Sequence, residues 1–125
     1  GEFKDGHLFG KGKLHLSDLS TYEGDFCKGF FHGTGVFCIA STPTIYKGSW
    51  KDGKKDGYGW MLYDHNNWYE GGWCADKKQG LGYRQYKNGS RYKGMWLNDM
   101  KNGEGTMVWE NADVLTLYIE SYFFA

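Results

Sequence analysis

The 125-residue sequence has one proline, few of the aliphatic residues that usually fill a protein interior, and no excess of charge of either sign. Its fifteen basic and fifteen acidic side chains cancel, so no strong net field favours nucleic acid or an anionic membrane. It has no run of about 18 apolar residues, and its first residues lack the basic-then-apolar order of a secretory signal. We therefore predict a soluble, cytoplasmic segment with no nucleic-acid partner.

The patterns that carry metal, phosphate or catalytic chemistry are also missing. Three cysteines without a secretory signal predict free thiols in a reducing compartment, and none of them is spaced as in a zinc site. The stretch GHLFGKGK lacks the spacing of a phosphate-binding P-loop. No grouping of Ser, His and Asp shares a motif. We expect no metal, no cofactor and no catalytic residue, so an enzyme is not predicted.

Glycine and aromatic residues are abundant instead, and they recur at a fixed spacing. The chain has 20 glycines, and 19% of its residues are aromatic. A tyrosine, a glycine and a second aromatic residue occupy alternate positions in four copies, and a Gly-x-Gly pair follows each copy. The tyrosine and second aromatic of the copies are Tyr22 and Phe26, Tyr46 and Trp50, Tyr69 and Trp73, and Tyr92 and Trp96. A truncated copy opens the chain, so the sequence is a repeat array.

Each copy alternates with a period of two, which predicts two β-strands. A Gly or Asp slot three residues after the second aromatic predicts a hairpin tip, and the dipeptide Asn88-Gly89 predicts a two-residue type I′ turn between copies. The alternation places aromatic and apolar residues on one face, where Arg84 is the one charged exception. The repeated glycines predict rings lying over bare backbone of a neighbouring strand. The tip slots are Gly6, Gly29, Gly53, Asp76 and Asp99.

These features predict an all-β fold: an elongated, single-layer antiparallel meander of consecutive β-hairpins over residues 1–109. Residues 110–125 depart from the pattern, although Leu115, Leu117 and Ile119 stand in the slots of the motif tyrosine, glycine and tryptophan. We interpret this segment as a degenerate C-terminal strand or tail.

The stretches YEGDFCKGFFHGTG, YKGSWKDGKKDGYG, YEGGWCADKKQGLG and YKGMWLNDMKNGEG resemble the MORN repeat, a hairpin with the consensus Tyr-x-Gly-x-Trp followed by Gly-x-Gly. The resemblance covers residues 1–109, with about five copies, and implies a MORN-repeat solenoid. The stretches FCIASTPTIYKGSW, NNWYEGGW and YKNGSRYKGMWLNDMKNGEGTMVW are similar to the MORN arrays of radial spoke head proteins of motile cilia. That similarity implies a place in the axoneme of a cilium or flagellum.

The resemblance implies a structural protein-interaction scaffold whose partners are other proteins, with radial spoke head subunits or a second copy as candidates. The eight motif aromatics are the candidate partner-binding residues, although we favour core packing as their main role. Two alternatives remain: a module that binds phospholipid at membrane junctions, and the targeting array of a larger enzyme. The zero net charge argues against lipid, because acidic neighbours dilute the best basic cluster. That cluster comprises Lys51, Lys54, Lys55, Lys77 and Lys78.

Overall fold

A computed structural model of the chain describes residues 1–109 and, for the backbone, residues 114–119. These residues form one sheet whose eleven strands follow one another in chain order, each antiparallel to the next. The strands are β1 (Glu2–Lys4), β2 (His7–His15), β3 (Thr21–Cys27), β4 (Phe30–Cys38), β5 (Ile45–Lys51), β6 (Lys54–Asp64), β7 (Asn67–Cys74), β8 (Lys77–Gln85), β9 (Arg91–Leu97), β10 (Met100–Val108) and β11 (Val114–Ile119). The predicted all-β meander of hairpins is confirmed. Within the described ranges no helix is long and apolar enough to cross a membrane.

The hairpin tips are type I′ turns at the predicted slots. Each Gly or Asp of the slot has a left-handed φ between 69° and 84°, and the residue before it has a φ between 49° and 53°. Two successive left-handed residues define this turn, whose twist matches that of the flanking strands. The predicted position of the tips is therefore confirmed. The central pairs are Asp5 and Gly6, Lys28 and Gly29, Asp52 and Gly53, Ala75 and Asp76, and Asn98 and Asp99.

A turn lies at Asn88 and Gly89, but the prediction that it is a two-residue type I′ turn is wrong. Gly89 has a φ of 93°, but Asn88 is not left-handed. The Tyr86 N–H donates to the Ser90 carbonyl at 2.8 Å, and the Gly89 N–H donates to the Tyr86 carbonyl at 2.9 Å, so the loop has three residues, 87–89. The Asn88 side-chain oxygen accepts a bond from the Ser90 N–H at 2.9 Å. This side-chain bond favours a tight turn closed by a left-handed glycine.

The core is a continuous row of rings on one face of the sheet, which we term the aromatic face. Its glycines are sterically required, as Gly82 illustrates. A Cβ atom added there would lie 2.3 Å from the hydroxyl oxygen of Tyr69, whose ring covers the bare backbone. Gly35, Gly59 and Gly105 stand in the same relation to the other motif tyrosines. The predicted packing of rings over glycine is confirmed.

The last strand continues the repeat register. Leu117 of β11 lies opposite Gly105 of β10, and Leu115 lies opposite Met107. In the earlier repeats a glycine faces a glycine at this position, as Gly82 faces Gly94. The other residues of the predicted 110–125 segment lie outside the described residues.

Candidate interaction faces

The eight motif aromatics form one buried cluster on the aromatic face, with exposed fractions between 0 and 8%. The Tyr46 ring meets Trp50 of its own copy edge to face at 4.9 Å and Trp73 of the next copy at 5.5 Å. The rings therefore join each repeat to its neighbour. Burial raises the pKa of the Tyr22 hydroxyl to about 12. Their contact with a partner stays a prediction.

The polar atoms of these rings are satisfied by backbone. Each motif tyrosine donates its hydroxyl to the carbonyl three residues later, at 2.8 Å from Tyr69 to Gly72. Each of the three motif tryptophans donates its indole N–H to a glycine carbonyl of the preceding copy, at 3.1 Å from Trp50 to Gly35. A buried ring with a bonded polar atom has one favoured position. The rings are thus fixed in place.

A row of buried cations that was not predicted from the sequence lies on the same face. Lys55, Lys78 and Lys101 occupy one slot, 23 residues apart, nine residues after a motif tyrosine. The Lys78 ammonium lies 5.6–5.9 Å from the centroids of four rings, and the Lys101 ammonium lies 5.0–5.3 Å from three. These are cation–π distances. The recurrence of lysine every 23 residues is the signal in the sequence that could have revealed the row.

Arg84 is part of this row, so the prediction that it is the one charged residue on the apolar face is wrong. Its guanidinium lies between the rings of Tyr63 and Tyr86, 4.7 and 4.6 Å from their centroids. It also donates to the Asn67 side-chain oxygen at 2.6 Å and to the Trp68 carbonyl at 3.2 Å. Burial lowers the pKa of the Arg84 guanidinium. A planar cation stacks well on aromatic rings, which explains arginine at this apolar position.

Burial makes these cations electrostatically unusual. It lowers the pKa of the Lys101 ammonium to about 8, and the positive charges of Arg84 and Lys78 act in the same direction. Burial also lowers the pKa of Lys78, although the Asp99 carboxylate, 3.9 Å from the Lys78 ammonium, acts to raise it. The aromatic face therefore combines rings with desolvated positive charge.

The basic cluster that the sequence suggested for lipid does not form one exposed patch. Lys55 and Lys78 lie on the aromatic face. The Lys55 ammonium is 3.4 Å from the Asp76 carboxylate, and the Lys78 ammonium is 3.9 Å from the Asp99 carboxylate. The other three lysines of the cluster are exposed near the hairpin tips. The positive charge available to an anionic surface is reduced accordingly.

The opposite face of the sheet carries a group of exposed apolar side chains, which we term the second-face patch. It consists of Tyr58, Leu81, Tyr83 and Met95, which are 40–60% exposed. Leu81 and Met95 lie directly opposite each other on β8 and β9. The Tyr58 hydroxyl donates to the Glu70 carboxylate at 2.5 Å, and this bond raises the pKa of Tyr58 to about 12. Grouped exposed side chains of this kind are typical of interaction sites.

Residues 1–109 and the backbone of 114–119 contain no cluster of three or more His, Cys, Asp or Glu able to hold a metal ion. Cys27 and Cys38 are half-buried free thiols, and Cys74 is an exposed one.

Similarity to known proteins agrees with this architecture. The family model of the MORN repeat matches residues 1–21, 22–41, 46–64, 69–91 and 92–114. Two relatives are the ALS2 C-terminal-like proteins of Bos taurus, 36% identical over 67 residues, and of Homo sapiens, 34% identical over 67 residues. Each alignment covers 50% of this chain, and the chain spans only 7% of the relative's length. Neither relative is a radial spoke head protein. With matches of the repeat model along most of its length, the chain belongs to the MORN-repeat family.

Proposed function

We propose that this chain is a structural protein-interaction scaffold and has no catalytic activity. The observation that carries the proposal is the second-face patch, where four large apolar side chains project from one sheet. Aromatic residues and methionine are enriched in protein–protein interfaces. Burying this patch against a partner protein would remove apolar surface from water.

A scaffold needs a stiff frame, and bonds between successive repeats support one. The Asp76 N–H donates to the Lys55 carbonyl at 2.9 Å, and the Asp76 carboxylate accepts from the Lys55 N–H at 2.8 Å. Asp99 and Lys78 are joined in the same two ways in the next repeat. These paired bonds hold neighbouring hairpin tips at fixed positions.

We place the scaffold in the axonemal radial spoke of motile cilia or flagella, with other spoke head subunits as its partners. This placement rests on the resemblance of short stretches such as FCIASTPTIYKGSW and NNWYEGGW to the MORN arrays of radial spoke head proteins. Lipid binding is the weaker alternative, because Lys55 and Lys78 lie beside carboxylates. A targeting array within a larger enzyme would use the same surface.

The test is to express the tagged chain in multiciliated cells and purify radial spokes from their axonemes. We expect the chain to co-purify with the spokes, and we expect serine substitutions at all four positions of the second-face patch to reduce its recovery at least tenfold. Lys13→Ser, on the same face and on strand β2 away from the patch, is the control. Absence of the unmodified chain from the spokes would contradict the placement. Full recovery of the patch variant would contradict the role of the patch.

A further inference from the structure

On the aromatic face, the row of buried cations and the rings beside them lacks a ring at one position. Tyr63 and Tyr86 occupy the same slot, seventeen residues after the motif tyrosine of their copy. In the copy that begins at Tyr22 the slot holds Ile39, which is half-buried. An isoleucine offers no π face and fills less of the space over the sheet than a tyrosine does.

A cavity lies where the missing ring would be. It has a volume of about 240 Å³ and is lined mainly by apolar side chains, with the Lys55 side chain and its ion-pair partner Asp76 also at its wall. The apolar lining includes Phe31, Phe37, Ile39, Trp50 and Met61. An apolar cavity of about 150 Å³ is known to accept a benzene ring. One aromatic side chain is therefore well within its capacity.

The filled slots show what chemistry this position accepts. The Tyr63 ring lies 5.7 Å from the Lys78 ammonium and 4.7 Å from the Arg84 guanidinium. The Tyr86 ring lies 5.0 Å from the Lys101 ammonium and 4.6 Å from Arg84. In both slots the negative face of a tyrosine ring lies beside buried cations.

The unfilled slot leaves its cation less covered. Among the described residues, the Lys55 ammonium has ring contacts to Tyr46 at 5.8 Å and Trp73 at 5.4 Å only. Its side chain is 20% exposed, compared with 9% for Lys78. Met61 takes the place of Arg84 in the repeat, and a thioether can make a favourable contact with a ring. Positive charge and a polarisable sulfur are thus already in position.

We infer that this cavity binds a tyrosine side chain presented by a partner protein, which completes the row as Tyr63 and Tyr86 do in the later repeats. The charge complementarity between the Lys55 ammonium and the ring face selects an aromatic occupant over an aliphatic one. The inference rests on the proposed scaffold function, because it names the chemistry of one partner contact.

The binding test uses p-cresol, the side-chain analogue of tyrosine, titrated into the whole chain and followed by NMR. We expect saturable shifts of the Trp50 indole N–H and the Met61 methyl at millimolar concentrations, the range of such small ligands. The aliphatic analogue 4-methylcyclohexanol should bind several-fold more weakly. Equal binding of the two analogues, or no saturable shift with p-cresol, would overturn the inference.

Substitutions of Ile39 provide a second test of where p-cresol binds. Ile39→Tyr should fill the cavity from within and weaken p-cresol binding at least tenfold, whereas the matched control Ile39→Leu should retain it. If the tyrosine variant does not fold, Lys55→Met serves instead and should weaken p-cresol binding by about two- to fivefold, the worth of an exposed cation–π contact. Undiminished binding by a folded Ile39→Tyr variant would show that the ligand lies elsewhere.

The spoke purification separates this inference from the scaffold proposal. If the Ile39→Tyr chain is recovered with spokes as fully as Ile39→Leu, the tyrosine slot is refuted while the scaffold stands. If neither variant nor the unmodified chain is recovered, the radial spoke placement fails, and the p-cresol titration still decides the chemistry of the cavity.

Discussion

Replacing Gly82 by alanine tests the packing on which the single-layer sheet depends. The new Cβ would lie 2.3, 2.5 and 2.6 Å from the hydroxyl, Cε1 and Cζ atoms of Tyr69, so the ring has to move. Moving it weakens the 2.8 Å hydrogen bond to the Gly72 carbonyl, worth about 1 kcal/mol. Overpacking a buried site costs about 1–3 kcal/mol more. We expect the free energy of unfolding to fall by about 2–4 kcal/mol.

Gly80 provides the matched control, because a Cβ there meets no atom within 4 Å, although its φ is +83°. Alanine at this position should cost about 1–2 kcal/mol from the left-handed backbone alone. Urea denaturation of both variants, in the natural background and with Tyr69→Leu, measures the coupling to the ring. We expect Gly82→Ala to lose most of its cost when the tyrosine is absent and Gly80→Ala to keep its cost. An unchanged cost for Gly82→Ala in the Tyr69→Leu background would refute the reasoning.

Two further predictions concern charge. Because the pKa of Lys101 is lowered to about 8 in the folded chain from 10.5, the folded state loses this proton first, so the contribution of Lys101 to the free energy of unfolding rises between about pH 8 and 10.5. We expect the free energy of unfolding, measured by urea denaturation at pH 7.5, 8.5 and 9.5, to rise less with pH, or fall more, in Lys101→Met than in the unmodified chain. An equal dependence on pH in the two chains would contradict this assignment. In flotation with anionic liposomes at physiological salt, the chain should remain at the bottom of the gradient and not float with the liposomes, because Lys55 and Lys78 lie beside carboxylates. Clear co-flotation would revive the lipid alternative.

The fold was predictable because its signals are local and repeated. The alternation around Tyr69 and Gly71 fixes which side chains share a face, and the Gly or Asp slot marks a turn that needs left-handed backbone. The second function of Asp76 was not predictable. Its carboxylate binds the Lys55 N–H of the preceding repeat, a contact between residues 21 positions apart that forms only when the tips are stacked.

The candidate residues were predictable as a group, but their environment was not. The motif aromatics were found by spacing, and the structure buries them together. Lys55 and Lys78 were assigned to a basic cluster near the tips, because a lysine beside a turn usually projects into water. In the sheet their long side chains lie over rings that belong to more than one repeat.

The sequence by itself determined the strand alternation, the hairpin tips and the 23-residue register, since each depends on residues close together in the chain. Only the tertiary structure decided that lysines and an arginine are buried among the rings, that the loop at Asn88 has three residues, and that Ile39 leaves a cavity beside Lys55. The physical reason is that cation–π contacts and cavities arise between hairpins. They depend on the size and charge of side chains that meet only after the repeats have stacked.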